Sequence, residues 1–73
     1  MITVHELTVY DIPENRAFTH ILDPTKGFQV YKRKEFVEVV YRNEARKEYS
    51  ATCYPWHTVV KLSSYGKLER PRN

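Results

Sequence analysis

The chain has 73 residues, a net charge of +3 and a single cysteine. That length holds one domain with a thin core, and one thiol excludes both an intramolecular disulfide and a cysteine-built zinc site. No stretch approaches the roughly 18 apolar residues of a membrane span, and Met1 to Tyr10 has neither the basic start nor the apolar run of a secretory signal. The expectation is a soluble, cytoplasmic protein, which suits a lone thiol.

Charge is spread unevenly. Met1 to Pro24 carries four acids and one base, whereas Thr25 to Asn73 carries eleven bases and five acids. Such polarity can steer an encounter with an anionic partner. Six tyrosines, three phenylalanines and Trp56 supply core, and they also supply rings of the kind favoured at binding surfaces.

Ile2 to Tyr10 reads as a strand whose apolar phase slips near His5 and Glu6. The slip implies either a bulge or a strand buried on opposite faces at its two ends. Asp11 then reads as an N-cap, with Pro13 near the first helical position and Glu14 in the first turn. Over Glu14 to Leu22, Phe18, Ile21 and Leu22 fall at helical spacing, which predicts a short amphipathic helix. Asp23-Pro24 ends it, and Thr25-Lys26-Gly27 is a turn.

Phe28 to Lys32 alternates, with Phe28 and Val30 on one side and Gln29 and Tyr31 on the other. Phe36 to Arg42 places Val37, Val39 and Tyr41 on one face and Phe36, Glu38, Val40 and Arg42 on the other. Its three valines favour a strand, although the stripe Val37, Val40, Tyr41, Ala45 keeps a helix open between residues 32 and 49. Asn43 to Lys47 suits a hairpin loop, and Glu48 to Tyr54 a returning strand. Trp56 to Tyr65 alternates strictly, with Trp56, Thr58, Val60 and Leu62 on one face and His57, Val59, Lys61 and Ser63 on the other. Lys67 to Asn73 reads as a disordered basic tail. The sum is a single α+β domain over residues 1–66, an antiparallel sheet of four to five strands with one short helix.

Reactive chemistry is sparse. Cys53 and His57 are separated by a proline, with no glycine-rich turn to build an oxyanion hole, so Cys53 reads as an inert buried thiol. His5, His20, His57 and Cys53 lack metal-ligand spacing. Glu35 and Glu38 would point to opposite faces of a strand. The expectation is a non-enzyme without cofactor or metal.

Binding remains, in two forms. Basic residues interleaved with tyrosines fit a nucleic-acid-binding sheet face, but Glu35, Glu38, Glu44, Glu48 and Glu69 dilute each cluster. A protein partner fits the mixed charge better, because Arg, Tyr and Trp are the usual anchors of such interfaces. The candidate contact residues are Arg42, Arg46 and Lys47 around the hairpin tip and Tyr54 and Trp56 at the proline turn. Lysines and arginines in the strands favour a monomer.

Length, mixed charge, abundant tyrosine and the lack of a catalytic motif together make the chain resemble the small host-takeover proteins of bacteriophages. The resemblance implies a large host protein machine as partner, with bacterial RNA polymerase the favoured target. It also implies regulation of transcription by inhibition or antitermination. No site residue follows from it.

Overall fold

The computed structural model describes residues 1–68. Six strands make up most of them: β1 (Ile2–Asp11), β2 (Arg16–Leu22), β3 (Phe28–Lys32), β4 (Phe36–Asn43), β5 (Glu48–Pro55) and β6 (Val59–Lys67). They form two three-stranded antiparallel sheets, ordered β2–β1–β6 and β3–β4–β5. The protein is therefore all-β, which corrects the expected α+β fold with its single sheet and covering helix. Among the described residues the only helical pieces are 3-10 turns at Pro24–Lys26 and Trp56–Thr58.

The helix expected over Glu14 to Leu22 is strand β2. Asp11 does accept a hydrogen bond from the Glu14 N–H, at 3.1 Å, as an N-cap would. The Asn15 N–H then bonds the Ile12 carbonyl at 3.1 Å, closing a turn with Pro13 at its second position. Asn15 adopts a left-handed conformation, φ 54°, and sends the chain back along β1. Asparagine tolerates that conformation and proline pre-sets the turn. The same residues that signal a helix start thus build a hairpin. Register from His5↔Leu22 to Asp11↔Arg16 points Phe18, His20 and Leu22 to the same face as Val9, Leu7 and His5.

The β4–β5 hairpin repeats this loop with different residues. Asn43 Oδ1 accepts the Arg46 N–H at 3.1 Å, the Lys47 N–H bonds the Glu44 carbonyl at 3.2 Å, and Lys47 takes the left-handed role at φ 54°. The hairpin expected at residues 43–47 is therefore present, and the helical alternative for 32–49 is excluded. Unlike asparagine, lysine gains no local hydrogen bond there, and its Cβ opposes the conformation by about 1 kcal/mol. Lys47→Gly is expected to raise unfolding free energy by about 0.5–1 kcal/mol in urea. An unchanged midpoint would show that the loop carries no such strain.

The core lies between the two sheets. Leu7 and Val9 of β1, Leu22 of β2 and Val37 and Val39 of β4 are buried together, flanked by Phe28, Val30, Tyr54, Val59 and Leu62. The expected faces of β3 and β4 hold, with Val37 and Val39 inward. Register along β1 is unbroken at His5 and Glu6, so the phase slip reflects burial on opposite faces. Val4 is 1% exposed but lies outside the cluster of Leu7 and Val9. The irregularity sits instead between Thr8 and Val9, which pair with Lys61 and Val59 and leave Val60 over as a bulge. That bulge turns both Val59 and Leu62 to the core and leaves Val60 61% exposed. It corrects the strict alternation expected from Trp56 to Tyr65.

At the other end of β6, Lys67 pairs with Ile2 and its Nζ sits 3.1 Å from Asp23 Oδ2. Lys67 thus belongs to the sheet and not to a tail; residues 69–73 of the expected tail lie outside the described residues. Asp23 is 4% exposed and caps the first 3-10 turn, accepting from the Thr25 hydroxyl at 2.6 Å and the Thr25 N–H at 2.9 Å. The hydroxyl bond first, then the amide and Lys67, hold its pKa at about 2 against an ordinary 3.8. The folded carboxyl binds its proton less tightly than the unfolded one. Its contribution is therefore complete above pH 3.8 and is lost as pH falls towards 2. Asp23→Asn is expected to flatten the loss of thermal stability between pH 4 and about 2. Parallel acid melts of the two proteins would disprove the assignment.

Candidate binding groove

The five residues expected to form a contact site are split between two ends of the molecule. Arg42 lies on the outer face of β4, its guanidinium 5.6 Å from the Tyr49 ring and 3.7 Å from Glu44. Arg46 and Lys47 sit at the exposed β4–β5 tip, without an ion pair among the described residues. Tyr54 and Trp56 lie at the far end of β5, roughly 24 Å from Lys47 at the usual strand rise. Trp56 is 37% exposed, and its indole N–H donates to the Arg33 carbonyl at 2.8 Å. It thereby ties the second 3-10 turn to the β3–β4 loop. Tyr54 is half-buried on the inner face, its ring 5.9 Å from that of His20.

Tyr54 also lines a concavity. Between the β1–β2 hairpin and the C-terminal end of β5 lies an open groove of about 510 Å³. Its floor is the core itself, through Val9, with Phe18 and His20 of β2 on one side and Tyr54 and Pro55 on the other. Ile12 and Pro13 of the hairpin loop form the rim, and Ile12 is 70% exposed. The Arg16 guanidinium stacks 4.5 Å over the Phe18 ring, placing a cation beside the groove. The groove is thus a mainly apolar trough to which Tyr10, Asp11, His20, Tyr54 and Thr58 add polar groups, a composition suited to an apolar side chain with polar neighbours.

Sequence reading missed Ile12, Pro13, Phe18 and His20 because it placed them in or before a helix. The signal was present: Phe18, His20 and Leu22 alternate with Thr19 and Ile21, a period of two. Thr19 bonds Thr8 across the outer face at 2.9 Å. Cys53, expected in the core, is exposed on the outer face of β5. His5 is also accounted for, its Nδ1 lying 2.7 Å from Ser64 Oγ. Among the described residues no group of three His, Cys, Asp or Glu is placed to hold a metal ion, and no helix is long and apolar enough to cross a membrane. Compared with known proteins, the chain matches no protein-family model, no curated protein and no solved structure.

Proposed function

We propose that this chain is a non-catalytic binding module that docks on a larger protein through the groove between the β1–β2 hairpin and β5. The observation that carries this reading is the opening of the core at one corner. A thin core has little apolar surface to spare, yet here Val9, Phe18 and Tyr54 line an open trough rimmed by an exposed isoleucine. Apolar surface grouped in a concavity is the usual mark of an interaction site. Bacterial RNA polymerase is the specific target favoured by the chain's resemblance to phage host-takeover proteins.

The experiment is capture of purified RNA polymerase, and of proteins from nuclease-treated bacterial lysate, by wild type and by Ile12→Asp. Ile12 is exposed, so the substitution leaves the fold intact. It places a charge on the apolar rim and is expected to weaken capture at least tenfold. Equal capture by the two proteins would remove the groove from the interface. Capture that returns only with intact nucleic acid would favour the basic sheet face instead.

A further inference from the structure

Among the described residues the two three-stranded sheets leave four strands with one side unpaired: β2, β6, β3 and β5. Three of them carry the features that normally keep edges from pairing. β3 is five residues long and runs into Lys32, Arg33 and Lys34. β6 is bulged at Val60 and carries Lys61. β2 begins with Arg16 and touches β3. β5 carries such features only at its ends, Glu48 at the start and Pro55 at the finish; the six residues between hold no charge and no proline, and every side chain of the strand but the half-buried Tyr54 is exposed. Its free backbone N–H and C=O groups form a template that another extended backbone matches.

The groove adjoins the C-terminal end of this strand. The residues that sheet β3–β4–β5 contributes to its lining are Tyr54 and Pro55 of β5, none from β3 or β4. The edge of β5 therefore runs from the groove at Tyr54 to the hairpin tip, where exposed Arg46 and Lys47 stand between Glu44 and Glu48. Of the contact residues expected from sequence, Arg46 and Lys47 lie just before β5 and Tyr54 near its other end, whereas Arg42 is on β4 and Trp56 in the second 3-10 turn.

A second copy of the chain does not account for this edge. Eight residues span about 27 Å, so pairing β5 with itself across a strip about 10 Å wide covers roughly 270 Å² per copy. That is well below the roughly 800 Å² per partner of a stable interface. An extended peptide can lie along the edge and also fill the groove and meet the tip.

We propose that β5 receives an extended segment of the partner protein as an additional antiparallel strand, an inference that rests on the groove reading above and names the form of its ligand. Antiparallel pairing fixes the order of chemistry along that segment. A bulky apolar residue lies opposite Tyr54 and, pointing to the inner face, enters the groove. About seven residues further towards the segment's C-terminus, acidic residues meet Arg46 and Lys47. β-Forming residues between them supply the ladder.

The test uses a fluorescent decapeptide of threonine and valine with leucine at position 2 and glutamates at positions 9 and 10. Binding is followed by anisotropy, and amide exchange of the protein by NMR. Exchange is expected to slow at alternate β5 amides. Methylating the peptide nitrogens that face β5 is expected to abolish binding, since it removes ladder donors without touching side chains. The pair Arg46→Glu and Lys47→Glu is expected to weaken binding roughly fivefold to tenfold, and exchanging the peptide glutamates for lysines to restore it. No binding at millimolar peptide, binding unaffected by N-methylation, or slowed exchange at β2 in place of β5 would each overturn the proposal. So would a thymidine oligonucleotide that protects the same β5 amides and displaces the peptide. If capture of the partner is lost with Ile12→Asp while β5 amides stay unprotected in the complex, this inference fails and the groove reading stands.

Discussion

Leu7→Ala is expected to lower unfolding free energy by about 3 kcal/mol, within the range of buried leucine truncations. Leu7 is fully buried at the centre of β1, the middle strand of its sheet, where it pairs with Leu62 on one side and His20 on the other. It also belongs to the cluster that includes Val37 and Val39 of the facing sheet. Removing its three terminal carbons leaves a void between two hydrogen-bonded sheets, which cannot easily close over it. A 73-residue domain has about 4–11 kcal/mol in total at about 0.05–0.15 kcal/mol per residue. The variant should therefore unfold at a clearly lower urea concentration with an unchanged slope. A loss below about 1 kcal/mol would mean that the sheets collapse onto the site and that the core is looser than its burial indicates.

Gly27→Ala is expected to cost as much, about 3 kcal/mol or more, through the backbone. Gly27 has φ 98°, and its N–H bonds the Pro24 carbonyl at 3.1 Å while its carbonyl accepts the Arg42 N–H at 2.9 Å. It thus joins the corner after β2 to the C-terminal end of β4. A Cβ at this position runs into the carbonyl oxygen of Arg42, which is fixed main chain and not a flexible side-chain tip. The clash adds to the strain of a positive φ. Thermal melts of Gly27→Ala should show a large fall in midpoint, whereas alanine at exposed Thr25 should show a smaller one, since it removes the hydroxyl bond to Asp23 and keeps the backbone N–H bond. Equal melts for wild type and Gly27→Ala would mean that the corner can rearrange without cost.

Several elements were legible from pattern alone. Phe28 to Lys32 and Phe36 to Arg42 alternate with the strand period, and the structure turns Phe28, Val30, Val37 and Val39 inward as that period requires. Asn43 to Lys47 reads as a hairpin loop and is one. The β1–β2 hairpin was not legible. Asp11, Pro13 and Glu14 satisfy the local chemistry of a helix start and of a tight turn equally well. What separates the two is the left-handed Asn15 and the ladder β2 makes with β1. Likewise the strict alternation of Trp56 to Tyr65 hides a bulge whose position depends on Thr8 and Val9, more than fifty residues away.

The candidate site follows the same division. Arg46, Lys47 and Tyr54 could be singled out as residue types suited to binding, but nothing in their spacing shows that a single exposed strand links them. The groove residues Ile12, Phe18 and His20 acquire a role only when β2 is laid beside β1 and the hairpin faces β5. Sequence by itself determined the size, the charge polarity, the strand faces of β3 and β4 and the loop at residues 43–47. All of these depend on neighbours within a few positions. Tertiary structure alone decided that residues 16–22 form a strand, that the core opens at one corner, and that β5 is an outer strand of its sheet. These depend on backbone hydrogen bonds and packing between segments far apart in the chain, whose free energy outweighs local propensity.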